Sequence, residues 1–294
     1  MAAEARGEVE EFLLGDRFIC LAGRSAWRQG GIAHRHYDRL GSEEAARSMA
    51  LDLAEFVGGA DWSARTFTSF IATFEQPRGV DELRFEELLW QQLQLLHDQD
   101  AEAHGWAEGY SSDPQSGEFA FSVAGHPFFV IGLHETHRRW GRRPPFPMLA
   151  FNSHEQFDRI KGAGMWDRLA EKIRKQDIKL QGDINPNLYE YEQLAETRRY
   201  SGRPKPAAWQ CPFSARGAQP AAEQDPAHAH APEPEHAQAS AYEPEHAAAY
   251  EHEHEPAREH AAAHEPEPEP EPETQSETRS ETEHAERDLT VSAV

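Results

Sequence analysis

The 294-residue chain carries a formal net charge of −23 at pH 7, of which residues 1–213 account for only about −7. Nucleic-acid-binding proteins present a basic surface, so this net negative segment argues against a nucleic-acid partner. No run of 18 apolar residues occurs, so no membrane span is expected, and the acidic amino terminus is unlike a signal peptide. Two cysteines are too few for a disulfide framework, and together these features favour a cytoplasmic protein.

The first half of the chain is predicted to contain helices around one strand. Residues 9–14 are expected to form a short helix or turn leading into a buried segment over 18–22. Residues 42–57 begin with a serine followed by glutamates and then show apolar residues at helical spacing, which predicts a helix. Residues 66–74 are rich in β-branched and aromatic residues and are predicted to form a strand. The segment 81–100, with a leucine stripe that includes Leu83, is predicted to be the longest helix.

The second half is predicted to add strands and two helices. Strands are expected over residues 119–123, 127–133 and 148–151, where short apolar runs lie between turn residues. Residues 154–160 and 165–174 are predicted to be helical, with glycines between them. Strands flanked by helices indicate an α+β domain with a mixed sheet.

The carboxy-terminal segment, residues 214–294, has a different composition. It contains 20 acidic residues against 4 arginines and has no Trp, Phe, Ile or Met. Such a sequence cannot bury enough apolar surface to offset the entropy of ordering its backbone. We therefore expect two regions, a folded domain over 1–213 and a disordered, acidic Pro/Glu/His/Ala-rich tail over 214–294, extended by its alternating prolines and like charges.

A series of motifs in the second half of the domain resembles the YqcI/YcgG family. The motifs are SDP at 112–114, FAFSVAG at 119–125, FFVIGLH at 128–134, the arginines 139, 142 and 143, FPMLAFNSHEQFDRI at 146–160, RKQDIKLQGDINPNL at 174–188, RRYSGR at 198–203 and WQCPF at 209–213. A weaker match in the first half covers FICLAGRSAW around Cys20 and the helix ending in HDQD. The order of the motifs makes the resemblance specific.

The resemblance implies a function. The family includes haem-dependent N-hydroxylases, among them the one of guanitoxin biosynthesis. By resemblance, the chain is expected to bind haem iron and to hydroxylate a nitrogen of a small amine or guanidine. Molecular oxygen would be the co-substrate, and a redox partner would supply electrons.

Two residue types could supply the axial ligand of a haem iron. His134 at the end of an apolar strand and His154 at the start of a helix both match the family pattern, and we rank them first. Cys20 and Cys211 also match it and are the rival thiolate ligands. Each of these side chains could equally be an ordinary buried residue of the core.

Other residues could hold the propionates or the substrate. Arg139, Arg142 and Arg143 are suited to carboxylates because a guanidinium forms bidentate, charge-assisted hydrogen bonds. A cationic substrate needs an acidic partner, and Asp113 and Asp183 are the predicted catalytic carboxylates; Glu118 and Glu196 are further candidates beside the motifs.

Two alternatives remain open from the sequence. The domain could be a non-catalytic haem carrier or sensor whose acidic tail recruits a partner. It could also be a metalloenzyme in which His134 and His154, with a nearby carboxylate, hold nonhaem iron.

Overall fold

The computed structural model describes residues 2–62, 66–162, 164, 166–183, 185 and 195–216, all within one structural unit, Met1–Ala229. Positions 217–294 of the expected tail lie outside these residues, so its disorder stays a prediction. Ser214 is fixed to the domain, because its N–H donates to the Gln94 side-chain oxygen at 2.9 Å and its carbonyl accepts from the Gln94 amide at 3.1 Å. Packed structure thus reaches the first residues of the segment assigned to the tail.

Helices and strands alternate along the described chain. The helices are α1 (Ala2–Leu14), α2 (Leu21–Arg28), α3 (Glu43–Gly59), α4 (Glu82–Asp100), α5 (His154–Gly162) and α6 (Trp166–Gln181). The strands are β1 (Ile32–Arg39), β2 (Ser69–Gln76), β3 (Phe121–Val123), β4 (His126–Leu133) and β5 (Met148–Ser153), and short 3-10 helices occupy Trp140–Arg142 and Glu196–Arg199. None of the described helices is long and apolar enough to cross a membrane.

The five strands form one mixed sheet in the order β1-β2-β5-β4-β3. β1 and β2 are parallel and are connected through α3, whereas the other neighbouring pairs are antiparallel. A mixed sheet with flanking helices confirms the predicted α+β class.

Local sequence explains how the two long helices begin. The Ser42 side chain accepts a hydrogen bond from the Ala45 N–H, and the Asp81 side chain accepts one from the Arg84 N–H, so each residue caps the first turn of its helix. Both predicted helices are therefore confirmed. The predicted stripe on α4 was wrong at Leu83, whose side chain is 56% exposed, because the buried face is formed by other residues of the helix, including Phe85 and Leu93.

The sheet separates two apolar layers. Helices α3 and α4 pack on one face, against strand residues that include Phe128 and Val130. Helices α1 and α2 pack on the opposite face, where Leu133 and Met148 belong to a second core cluster. Alternate residues of β4 thus point to different layers, as expected for an extended strand.

Candidate functional site

A cavity of about 200 Å³ lies on the α1 and α2 side of the sheet. Its floor is formed by strand residues including Ile71, Ile131 and Ala150, and its cover by residues of the α1–α2 region that include Cys20 and Ala26. Helix α6 and the 3-10 helix Trp140–Arg142 close one end. We call this space the sheet cavity; apolar side chains form most of its wall.

Cys20 places a thiol in the wall of the sheet cavity. It is the N-cap of α2, and its Sγ accepts a hydrogen bond from the Gly23 N–H at 3.4 Å. Burial raises the pKa of this thiol, although hydrogen bonds from the Gly23 and Ala22 backbone act in the opposite direction. A sulfur at a helix N-terminus is well placed to hold negative charge once a metal replaces its proton.

Arg139 and Asp177 form an ion pair at one end of the sheet cavity. Both residues are buried, and Arg139 Nη2 donates to Asp177 Oδ2 at 2.9 Å while its Nε donates to Oδ1 at 3.3 Å. The Asn185 N–H donates to the same Oδ2 at 2.8 Å. Arg139 also donates from Nη1 to Asp183 Oδ1 at 2.9 Å. The guanidinium is therefore engaged by two carboxylates.

The three arginines that the sequence groups together have different surroundings. Arg139 holds the buried ion pair, and Arg142 lines the sheet cavity. Arg143 instead lies against the Trp140 ring, with its guanidinium carbon 4.1 Å from the ring centroid. The Arg142 Nη1 donates to the Gly132 carbonyl oxygen at 3.5 Å, and the Arg142 charge lowers the pKa of His137, so this guanidinium is engaged by the protein itself.

His134 lies on the opposite face of the sheet from the cavity. Its ring stacks on Phe85 of α4, with centroids 4.4 Å apart, and it is almost fully buried. His137 packs edge-on against it at 5.2 Å. Together with Glu82, these two histidines bring three possible ligand atoms within 4.8 Å of one another.

Hydrogen bonds assign opposite tautomers to these two histidines. The Thr136 hydroxyl donates to the Val80 carbonyl, so His134 must donate from Nδ1 to Thr136 Oγ1, which leaves Nε2 with a lone pair. His137 accepts the Arg139 N–H at Nδ1, so its proton lies on Nε2. In this arrangement His137 Nε2 carries a proton and could bind a metal only after losing it, and neither buried Nε2 atom has a hydrogen-bond partner among the described residues.

Electrostatics set the protonation states of the groups in this cluster. Burial lowers the pKa of His134 to about 4, and burial together with the Arg142 charge lowers that of His137 to about 3. The Glu82 carboxylate is hydrogen-bonded by Arg138; these hydrogen bonds outweigh the effect of burial and lower its pKa to about 2. The cluster is better described as neutral imidazoles beside an ion pair.

His154 belongs to a separate polar group. Its Nε2 lies 2.8 Å from Glu196 Oε2, and its ring is 5.3 Å from that of Tyr110. The Tyr200 hydroxyl donates to the same buried carboxylate, and burial, followed by the Glu196 charge, raises the pKa of Tyr200. The structure therefore places His154 with Glu196 and not with His134.

The remaining candidates lie away from the sheet cavity. Cys211 belongs to the core on the α3 and α4 face, where burial raises its pKa to about 12. Asp113 lies on the surface and caps a turn by accepting the Gln115 N–H at 2.9 Å. The Asp183 side chain is 72% exposed and contacts the site through Arg139.

Sequence reasoning missed two participants, Asp177 and Glu82. Asp177 lies within the motif RKQDIKLQGDINPNL, and its position in the predominantly polar α6 gave no sign of burial. Glu82 lies in the first turn of α4, where an acidic residue usually stabilises the helix by interacting with the positive end of its dipole. Only the tertiary structure brings Arg138 against Glu82 and Arg139 against Asp177.

The fold and the site define an α+β protein whose mixed sheet carries an apolar cavity with a thiol at a helix N-terminus and a buried arginine–carboxylate pair. The model of the YqcI/YcgG family matches residues 9–214, and the chain belongs to this family. It is 26% identical over 209 residues to "Uncharacterized protein YcgG" of Bacillus subtilis (strain 168), covering 68% of this chain and 81% of that protein. No solved structure matches the chain significantly.

Proposed function

We propose that the protein is a haem-dependent N-hydroxylase of a small amine or guanidine, with the sheet cavity as the haem site and Cys20 as the axial ligand. The observation that carries this proposal is the position of Cys20, a thiol at a helix N-terminus in the wall of an apolar cavity. His134 and His154, which we ranked first from the sequence, are not among the residues that line this cavity.

The donor set of the cavity suits a haem group. A thiolate ligand is stabilised by the Gly23 N–H and by the N-terminus of α2. Apolar residues such as Ile131 and Leu133 suit the face of a porphyrin. The cavity, at about 200 Å³, is smaller than the roughly 300–1,000 Å³ usual for ligand sites. Haem binding therefore requires the α1–α2 cover to move away from the sheet.

Residues of the chain would prepare the site for the chemistry that the haem supplies, which is the activation of molecular oxygen for insertion into a substrate. Cys20 would lose its thiol proton when it coordinates iron. The apolar wall excludes water, so polar contacts inside it gain strength. A guanidine substrate would need a carboxylate that accepts two parallel hydrogen bonds. The contact between Asp177 and the Arg139 guanidinium is an example of this geometry within the cavity wall.

The first test is the absorption spectrum of the full-length protein after expression with haem supplementation. We expect a Soret band in the parent, in Cys211→Ala, in His134→Ala and in His154→Ala. Cys20→Ala should lose or shift the band, while Cys20→Ser should give the changed spectrum of an oxygen ligand. Absence of a band in the parent protein would overturn the haem proposal, and a parental spectrum in Cys20→Ala would overturn the ligand assignment.

A carrier or sensor would share the same cavity and the same spectrum. Single-turnover assays therefore separate the two functions. Reduced haem-loaded protein should convert a small amine or guanidine to its N-hydroxy product in the presence of oxygen. Stable haem binding without conversion of any amine or guanidine in a broad panel would favour the non-catalytic function.

A further inference from the structure

A basic and aromatic surface lies outside the sheet cavity, on the 3-10 helix Trp140–Arg142. Trp140 is 40% exposed although it is large and apolar. The guanidinium carbons of Arg17 and Arg143 lie 5.0 and 4.1 Å from its ring centroid, within the range of a cation–π contact. The indole and the two guanidinium groups thus form one preformed surface, which we call the Trp140 surface.

Helix α6 adds further apolar and basic groups beside the 3-10 helix. The Trp140 N–H donates to Gln181 Oε1 at 3.0 Å, which joins the 3-10 helix to the last residue of α6. Ile178 lies three residues before Gln181 and so shares its face of the helix. Ile178 is 44% exposed, and Lys179 next to it is also exposed. Exposed aromatic, apolar and cationic groups together are typical of a surface that binds another protein.

The two arginines of the Trp140 surface carry charge that no described carboxylate neutralises. Within the described residues, neither Arg17 nor Arg143 has a carboxylate oxygen within 4.0 Å, whereas Arg138 and Arg139 nearby are paired with acidic residues. The Arg143 Nε donates to the His137 carbonyl, which fixes the side chain without balancing its charge. The domain as a whole is net negative, so this surface is a place where an acidic partner is attracted and not repelled.

The Trp140 surface adjoins the part of the cavity wall that carries the proposed ligand. Residues 18–20 line the sheet cavity and end at Cys20, and the exposed Arg17 directly precedes them. The Cα atoms of Arg17 and Cys20 are therefore at most about 11 Å apart, since each residue extends the chain by roughly 3.6 Å at most. Gly141 packs on the same segment, because a Cβ built on it would lie 3.2 Å from the Arg17 carbonyl oxygen and 3.4 Å from Ile19 Cγ1.

The proposed hydroxylation uses electrons that the protein must receive from an external donor. We propose that an acidic electron-transfer protein binds the Trp140 surface and delivers electrons to the haem from the side of Cys20. This inference rests on the proposed function of the sheet cavity. In each encounter, one electron leaves the reduced carrier of the donor and one ferric iron becomes ferrous, and no bond forms or breaks.

The residues of the surface have separate roles in this contact. Arg17 and Arg143 would attract carboxylates of the donor, because opposite charges steer association and raise its rate. Trp140 would pack against the donor at the centre of the contact, where tryptophan is frequent among the residues that dominate binding. Electron-transfer complexes are usually small, with less than about 1,200 Å² of buried area. One indole between two guanidinium groups suits a contact of this size.

The first experiment measures binding to the haem-free, full-length protein, so that its result does not depend on haem uptake. The probe is a purified flavodoxin, a small acidic protein that carries electrons on a bound flavin, titrated by isothermal titration calorimetry. In about 0.1 M NaCl the Debye length of about 10 Å screens distant charges and leaves local contacts. We expect saturable binding that weakens at least about fivefold in 0.5 M NaCl.

Variants of the surface locate the contact. Trp140→Ala and the double variant Arg17→Gln, Arg143→Gln should each bind flavodoxin at least about tenfold more weakly. The double variant Arg17→Lys, Arg143→Lys keeps both charges and should recover most of the affinity, because charge steers the encounter. Arg84→Gln, which removes an exposed arginine paired with Glu87, should bind like the parent. Equal affinity of the parent and the surface variants, or no binding by the parent, would overturn the docking surface.

The second experiment measures electron delivery in the haem-loaded protein. With oxygen excluded, reduced flavodoxin is mixed with the ferric protein in a stopped-flow instrument, and the shift of the Soret band on reduction is followed. Below saturation, the two surface variants that weaken binding should be reduced at least about fivefold more slowly than the parent. Dithionite should reduce the parent and the variants at equal rates. Equal rates with flavodoxin would contradict the entry of electrons at this surface.

The two experiments separate failure of this inference from failure of the proposed function. A parent protein without a Soret band after haem supplementation would overturn the haem site and, with it, electron delivery. A parent that binds haem, but in which Trp140→Ala changes neither flavodoxin binding nor reduction, would overturn the Trp140 surface alone. Circular dichroism and thermal unfolding of each variant check that its fold is intact.

Discussion

The two carboxylates that engage Arg139 allow a test of the cavity wall with an internal control. Arg139 Nη2 and Nε bind Asp177, whose side chain is 3% exposed, whereas Nη1 binds Asp183, whose side chain is 72% exposed. One arginine thus makes a buried and an exposed ion pair at the same N–O distance of 2.9 Å. We predict that Asp177→Asn is far more destabilising than Asp183→Asn.

The difference in magnitude follows from burial. Removal of Asp177 leaves the buried guanidinium with only the exposed Asp183 carboxylate, and loss of one partner of a buried pair costs about 3–5 kcal/mol. Asp177 also accepts the Asn185 N–H, so the replacement disturbs a further hydrogen bond worth about 1 kcal/mol. We therefore expect Asp177→Asn to lower the free energy of unfolding by about 3–5 kcal/mol, whereas an exposed pair such as that of Asp183 contributes at most about 1 kcal/mol.

Urea-induced unfolding of the full-length variants, followed by circular dichroism, measures both effects. The double variant Arg139→Met, Asp177→Leu should recover most of the loss, because it removes both buried charges together. Equal destabilisation by Asp177→Asn and Asp183→Asn would show that burial of the pair does not control its energy. A double variant as unstable as Arg139→Met alone would refute the argument from uncompensated charge.

Three further predictions concern groups outside this pair. Burial lowers the pKa of His134 to about 4 and that of His137 to about 3. Both histidines would protonate near pH 6.5 in the unfolded chain, so the free energy of unfolding should fall as the pH drops from about 6.5 to 4. This fall, measured by urea unfolding at each pH, should be less steep in His134→Asn. Gly202→Ala should destabilise the domain in thermal unfolding, because φ is +78° and the added Cβ would lie 2.6 Å from His137 Nε2. Glu86→Ala should cost about 3–5 kcal/mol in urea unfolding, since it leaves Lys205 buried without its carboxylate; a loss below about 1 kcal/mol would contradict the burial argument.

Much of the fold was predictable because local sequence and tertiary structure agree. The capping residues Ser42 and Asp81 mark the starts of α3 and α4, and the apolar runs of β4 and β5 mark two strands. Strand β1 was not predicted. Its sequence IAHRHYDR is mostly polar, and the polar side chains are accommodated only by tertiary contacts, such as the hydrogen bond between His34 Nε2 and Thr73 Oγ1 at 2.8 Å.

The candidate site was less predictable because it depends on which distant segments meet. Cys20, Arg139 and Arg142 were candidates from the sequence, and the structure brings all three to the sheet cavity. Asp177, the buried partner of Arg139, could not be identified, since an acidic residue in a polar helix usually faces solvent. The grouping of His134 with His154 rested on their match to the family pattern, and a match of motifs does not fix the side of the sheet that each residue faces.

Strand parity explains why a thiol, and not His134, reaches the cavity. Successive residues of a strand point to opposite faces, and Phe129, Ile131 and Leu133 all line the sheet cavity. His134 follows Leu133 and so faces α4, where Phe85 stacks on it. β4 therefore supplies the cavity with apolar side chains, and a ligand must come from another part of the wall. Among the described residues that line the cavity, Cys20 of the covering segment and Met148 of β5 carry a sulfur atom, and the proposed haem site uses the Cys20 thiol.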